Sequence, residues 1–360
     1  MLEWLDPGRR PIGDPARVHG EGRAARVAVE SAREQVAALL GTRPRQVVFT
    51  SGGTEAVNAA TWGALASRPA RPVVVAAVEH SSVRDATTRA ARVEPVAVDG
   101  LGRISPDAVG DALVSCERAG APAALVHCQA ANHEVGTRQP VASVVAAARH
   151  HDVLVHDDAC AAAGHVELAL DELGADLVSV SAHKMGGPPG IGALVVRRGL
   201  RIEPFIVGGD QERARRAGAE NVPAIVGFGA AAGALSGQLA HEAAEARRRT
   251  EALLAAAAAV PDVQVLGDPV DRVPHLVCVA VEGVEAEAVL LGLDQAGIAA
   301  HSGSACSSES LAPSPVLEAM GVDAERSLRL SVGWSTTDDD VEAFSVAFGR
   351  VVGDLRALRA

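Results

Sequence analysis

Residues 176–198 read DLVSVSAHKMGGPPGIGALVVRR. The first six form a short apolar run that ends on Ser181-Ala182-His183-Lys184; a Gly/Pro-rich loop follows, then a second strand. A continuous apolar run marks a strand buried on both faces, as in a parallel sheet covered by helices. The same texture extends toward the N-terminus, with strands predicted at residues 46–51, 72–79, 93–98, 123–129 and 153–158 and helical stretches between them. Residues 22–40 read as a helix stopped by Gly41, a natural C′ residue. Strands that alternate with helices imply right-handed crossovers and a mostly parallel sheet. After about residue 237 the pattern changes: a helix at 238–259, strands at 263–266, 275–281, 298–301 and 327–332, and helices from Glu285, near 314–320 and from Thr337. The fold class is therefore α/β, a large domain with a mostly parallel sheet covered by helices plus a smaller C-terminal α+β domain. The expected division is 13–237 and 238–360, with residues 1–12 on the small domain or loosely ordered.

Composition narrows the chemistry. The 360 residues are 48% hydrophobic but only 2% aromatic, with no Tyr. That excludes disorder and any role for a phenol, and calls for a finely divided aliphatic core. Thirty-three Lys and Arg against forty-five Asp and Glu give a net charge of −12, which argues against a nucleic-acid partner. Five cysteines, with no C-x-x-C pair, argue against a disulfide framework and a structural zinc site, so no metal is expected. No basic leader or membrane-length apolar run is seen, and a cytoplasmic address is expected.

Several side chains are placed to do chemistry. Gly52-Gly53-Thr54 lies where a strand hands over to a helix, and reads either as a phosphate cradle or as an ordinary tight turn. It meets neither the G-x-x-x-x-G-K-[ST] nor the G-x-G-x-x-G pattern. Lys184 stands out as a lysine in an Arg-dominated chain, where it is the only one. It emerges from a buried strand among small residues, where poor solvation disfavours the ammonium and prepares an amine for Schiff-base chemistry; the alternative is a solvated loop lysine. Ser181 and His183 flank it and suit a phosphate. Asp158 ends the strand VLVHD, where a carboxylate either faces a ligand, such as a pyridine nitrogen, or caps the next segment. His80 ends VVVAAVEH; without Tyr, an imidazole is the residue to stack on a planar ligand, unless it is a core or capping histidine. Cys306 sits in the small-residue loop HSGSACSS, where an exposed thiol is a nucleophile. Arg329 is a cation in an otherwise apolar strand, matched by a carboxylate partner such as a substrate's.

In order along the chain, VVFTSGGTEAVNAA, Glu79-His80, ANHEVG, VLVHDDA, SVSAHKMGGPPGIGALVVRR, GGDQER, SGSACSSESLAPSPVLEAMG and SLRLSVGWSTT resemble the cysteine desulfurases. These are pyridoxal 5'-phosphate enzymes of the class V aminotransferase superfamily, with the fold type I architecture. The resemblance runs from about Gly13 to the C-terminus. It implies that Lys184 holds the cofactor and moves substrate protons, that Asp158 partners the pyridine nitrogen, and that His80 stacks on the ring. Gly53, Thr54, Ser181 and His183 correspond to the phosphate cup. His133 stands where the family commonly has an Asn that bonds the cofactor's phenolic oxygen. Asn132 and Arg329 correspond to substrate binders, Arg329 at the carboxylate. Cys306 corresponds to the cysteine that attacks the substrate sulfur and becomes a persulfide. Ala161 replaces a Gln that reaches the phenolic oxygen, Ala219 replaces a Thr that reaches the partner subunit's phosphate, and an Asp-x-x-Ala-Thr-Thr-Pro-like strand is missing before the first helix.

The implied activity is conversion of L-cysteine to L-alanine by a homodimer that passes sulfane sulfur to an acceptor protein, either a scaffold or a sulfur carrier. Two other readings stand beside it. One is a related pyridoxal-phosphate C–S lyase or aminotransferase that does not require Cys306. The other is a catalytically degenerate protein-binding scaffold, motivated by Ala161 and Ala219.

Overall fold

The computed structural model describes residues 1–6, 8, 13–302 and 313–359. The predicted strands appear as β1 (Val47–Thr50), β2 (Val73–Ala76), β3 (Val93–Val96), β4 (Leu125–His127), β5 (Leu154–Asp158), β6 (Leu177–Ser181) and β7 (Gly192–Val196). They form one seven-stranded sheet in the order β1-β7-β6-β5-β4-β2-β3. The pairs β2–β3, β2–β4, β4–β5 and β5–β6 are parallel, whereas β7 is antiparallel to both β6 and β1. Six strands thus point one way. The exception follows from chain length, because residues 182–191 are too few for a helical crossover and the chain must double back. Gly186 and Gly190, both at φ +80°, make that reversal possible.

All residues of β1, β2 and β4 to β7 are buried, which is why several of these segments read as apolar runs, with polar residues toward the carboxyl ends of β4, β5 and β6. Helices Gly20–Leu39 and Val222–Leu235 contribute to the core on one face and helix Gly53–Ala66 to that on the other. Gly41 follows the first helix at φ +59°, as its sequence position predicts. β3 is the half-exposed edge and carries Pro95, which a central strand would not tolerate.

The second sheet comprises β8 (Val263–Leu266), β9 (Leu276–Val281), β10 (His301–Ser302) and β11 (Ser327–Ser331), antiparallel in the order β10-β11-β9-β8. Alternation along β9 explains how it joins the larger unit. Val277, Val279 and Val281 enter a core with Phe344 and Phe348 of helix Asp338–Ala357, while Leu276, Cys278 and Ala280 enter the core of the large sheet. Thr337 opens that helix with a reciprocal capping box to Asp340. Residues 298–301, expected as a strand, pair only at the short β10. Residues 1–12 were expected on the smaller unit or loose. Among those described, helix Leu2–Leu5 instead packs on Val222–Leu235 and puts Trp4 into the large core, where its indole finds apolar contact.

One buried ion pair pins a strained turn to this framework. Glu212, Arg213 and Ala214 all adopt left-handed backbone, with φ of +50°, +60° and +60°, a conformation costly for residues with a Cβ. Arg33, in the first long helix, meets Glu212 in a bidentate contact at 2.7 and 2.8 Å. Glu212 also accepts from Phe49 N at 3.0 Å, and Arg33 donates to Val47 O at 2.9 Å, so helix, turn and β1 are tied at one point. Both side chains are 3% exposed. Without Glu212 the only carboxylate left to the buried guanidinium is Glu30, a half-exposed partner at 3.1 Å from Nε, so Glu212→Gln is expected to cost about 2 kcal/mol. A urea midpoint that does not move would show that the pair is not holding the turn.

Candidate active site

Parallel strands deliver their carboxyl ends to one edge, and the chemistry-bearing residues lie there. Gly53 and Thr54 follow β1, His80 follows the β2 segment, His133 follows β4, Asp158 ends β5, and Ser181, His183 and Lys184 end or follow β6. All eight line one cavity of about 210 Å³. Gly53 is required by close approach, because a Cβ there would meet Cys160 Sγ at 2.5 Å. His80 is the N-cap of helix Ser81–Ala90, and its Nδ1 accepts from Ser82 N at 3.1 Å. In the neutral ring the proton therefore sits on Nε2. The His133 ring stands edge-on to His80, with centroids 4.8 Å apart. Ser181 Oγ and His183 Nδ1 are 2.9 Å apart, and Asp158 Oδ1 accepts from Cys160 N at 3.1 Å.

Lys184 is the chain's only lysine. The expectation of a poorly solvated amine is not met: the turn Ala182–Met185 lifts Lys184 clear of β6, and its side chain is exposed at the cavity. Below this edge lie carboxyls of a different character. Asp157 is fully buried with neither oxygen hydrogen-bonded, and burial, then the charge of Asp158, raises its pKa well above the usual carboxylate range. Glu79 is raised likewise, by burial first and then by Asp158. Cys160 reaches the same cavity, but burial and then Asp158 push its thiol well up, so it stays protonated and is a poor nucleophile.

A second cavity, of about 350 Å³, shares His133, Cys160, Ala161, His183 and Lys184 with the first and continues toward the smaller sheet. Arg329 lines it from β11 and donates to His133 O at 3.1 Å. Asn132 lines neither cavity. Its Nδ2 donates to Val78 O at 3.1 Å, and its Oδ1 accepts from Glu134 N at 2.8 Å and Val135 N at 2.9 Å. That side chain is fully buried, with Oδ1 and one N–H committed to the local turn and to Val78, and it faces neither cavity. Cys306 lies outside the described residues.

Residues 13–344 match the family model Aminotransferase class-V. The chain belongs to that family. It is 40% identical to a cysteine desulfurase of Cereibacter sphaeroides, over 99% of this chain and 92% of that one. It is 37% identical to cysteine desulfurase IscS 1 of Archaeoglobus fulgidus, over 96% and 91%. The X-ray structure of a NifS-like protein from Rickettsia africae superposes with a TM-score of 0.85 at 28% identity, covering 94% of this chain and 92% of that one. Class-V aminotransferases depend on pyridoxal phosphate. The glycine cradle at Gly53, the sole lysine and the strand-end carboxylate of Asp158 fit that cofactor, which they would hold at its phosphate, at its aldehyde carbon and at its ring nitrogen.

Sequence reading alone does not single out Cys160, His165 or His275, all on the walls of this family site. Only the small residues around them hint at space for a ligand. Asp157 carries the testable electrostatics. A carboxyl that holds its proton more tightly when folded stabilises the fold at low pH, and that contribution is lost as pH rises from the ordinary carboxylate range toward the raised value. Asp157→Asn removes this slope. As pH rises above the ordinary carboxylate range, from about pH 5 to about pH 8, the variant is expected to lose less stability than the wild type. Denaturation curves at the two pH values measure it; parallel losses would mean that Asp157 does not hold its proton.

Proposed function

We propose that the chain is a pyridoxal-phosphate-dependent cysteine desulfurase that converts L-cysteine to L-alanine, with Cys306 receiving the sulfur as a persulfide for an acceptor protein. The reading includes a homodimer working in the cytoplasm. The observation that carries it is the sole lysine opening onto two joined cavities, with Asp158 on the wall of one and Arg329 on the wall of the other. Its relatives named cysteine desulfurase support the choice of substrate.

Pyridoxal phosphate, when bound, supplies the electron sink that lets bonds at the substrate's α- and β-carbons break. The protein's own groups do the rest. Asp158 keeps a proton on the ring nitrogen, and His80, with Nδ1 engaged by Ser82, has Nε2 to carry or release a proton. Thr54, Ser181, His183 and the backbone at Gly53 hold the phosphate. Lys184 moves the proton at the substrate α-carbon. Arg329 pairs the substrate carboxylate, which fixes how the amino acid sits against Lys184. The Cys306 thiolate attacks the substrate sulfur and the C–S bond breaks. The bond's electron pair stays with carbon, and protons complete the alanine methyl group, so the step is redox-balanced without an outside reagent.

Cys306→Ser is expected to keep the cofactor's visible absorbance and to lose alanine release by about a thousandfold or more, with no persulfide detected by mass spectrometry. Unchanged alanine release with no persulfide would instead support the reading that does not require Cys306, and a persulfide on another cysteine would move the acceptor role to that residue. Arg329→Ala is expected to raise KM for L-cysteine by about a hundredfold, the worth of a charge-assisted pair. Steady-state kinetics decide, and an unchanged KM would remove Arg329 from the substrate site.

A further inference from the structure

Two imidazoles lie face to face on the wall of the larger cavity. The rings of His165 and His275 have centroids 3.5 Å apart and planes 16° apart. They come from opposite sides: His165 follows β5 in the large unit, and His275 leads into β9 of the smaller sheet. Both backbones are fixed, since His165 N donates to Ala162 O at 3.0 Å and Val332 N donates to His275 O at 2.9 Å. The His165 ring is fixed as well. Its Nε2 lies 2.8 Å from Lys184 O, and because a carbonyl only accepts, Nε2 must carry the proton.

Stacking on a ring held in this way restricts how His275 can turn. In the orientation it adopts, Nδ1 is buried and has no hydrogen-bond partner. Folded proteins leave few buried polar atoms bare, and one beside a ligand cavity calls for a partner that arrives with the ligand. The charges near His275 indicate which ligand group fits. Burial above all, then His165, Lys184 and Arg329, drive its pKa well below the usual range, so it meets the ligand as a neutral ring. A neutral imidazole among cations can donate Nδ1–H to an anionic oxygen. Arg329 already spends one N–H on His133 O, and Asn132 is buried away from both cavities. A substrate carboxylate has two oxygens with several lone-pair sites, more than the remaining Arg329 donors need satisfy alone.

We infer that His275 is a further substrate-binding residue, donating from Nδ1 to the carboxylate of the amino acid that Arg329 holds, with His165 as the residue that positions its ring. This rests on the proposed amino-acid substrate and specifies which side chains read its carboxylate. It also makes recognition depend on both units, because the ring that donates enters from one and the ring that steadies it from the other.

The test uses the cofactor-loaded enzyme and a matched pair of ligands, L-alanine and ethylamine, which differ only by the carboxylate. Binding is read from the change in cofactor absorbance. In His275→Phe, which keeps an aromatic face against His165 but has no nitrogen, the Kd for L-alanine is expected to rise about tenfold while that for ethylamine stays within about twofold. His275→Gln restores a donor and should recover part of the L-alanine affinity. In the wild type, the ¹⁵N resonance of His275 Nδ1 should move when L-alanine binds and stay in place with ethylamine, a readout that needs no variant to fold. Equal weakening of both ligands, unchanged L-alanine binding in His275→Phe, or a resonance indifferent to the carboxylate would each overturn the inference. If the wild type gives no absorbance response to either ligand, the substrate reading itself fails, which is a separate outcome.

Discussion

The short return from β6 to β7 is the constraint on which the site depends. With only residues 182–191 to spend, the chain cannot cross over and must reverse at once. The reversal makes β7 the lone antiparallel strand of the large sheet. It also holds Lys184 at the edge where the parallel strands end. A longer connection would allow a parallel neighbour and carry the lysine away from Asp158. Gly192 makes the tight return possible in another way, since a Cβ there would strike Val180 O at 2.6 Å and the Gly52 backbone at 2.7 Å. The strand bearing the lysine, the strand after it and the phosphate-side turn are therefore packed backbone to backbone.

Much of this was legible in the sequence because it is local. Buried parallel strands announce themselves as apolar runs, and residues just beyond their carboxyl ends must share an edge. Gly53, Thr54, His80, Asp158, Ser181, His183 and Lys184 follow from that rule and meet in one cavity, together with His133, which the family resemblance points to. What stayed hidden is decided by side-chain partners remote in sequence. Asn132, which the family resemblance places at the substrate, is buried behind the cavities and bonds its own turn and Val78. His165 and His275 find each other only when the two sheets pack. Arg33 offers a faint signal, a cation among Val29, Ala32 and Val36 on a buried helix face, but its partner Glu212 is 179 residues away. The exposure of Lys184 depends on a single turn of helix that apolar patterning does not encode.

The electrostatic layout has two poles. Glu79 and Asp157 lie deep below the cofactor edge with raised pKa values, and Cys160 is kept as a thiol by the same burial. Asp158 is the carboxylate that lines the cavity. Toward the smaller sheet the wall carries Lys184, Arg249 and Arg329, with Glu242 as its carboxylate. On the proposed reading, an amino acid entering between these poles would be oriented before any bond changes, carboxylate toward the arginines and reacting carbon toward Lys184. The aliphatic cores support this arrangement by packing small side chains closely around a few buried rings, Phe49 and Phe228 in the large core and Phe344 and Phe348 in the smaller one.

Having a single lysine sets this protein apart as a chemical object. Every other basic side chain that stays charged is an arginine, whose guanidinium does not condense with aldehydes or take acyl groups as an amine does. An aldehyde cofactor approaching the folded surface thus meets one side-chain amine, at the end of the cavity built to receive it. The same economy has a cost in regulation. Acetylation, ubiquitin attachment or amine-directed cross-linking has no lysine to act on except the one proposed for turnover, so any such modification of a lysine would occupy the active site.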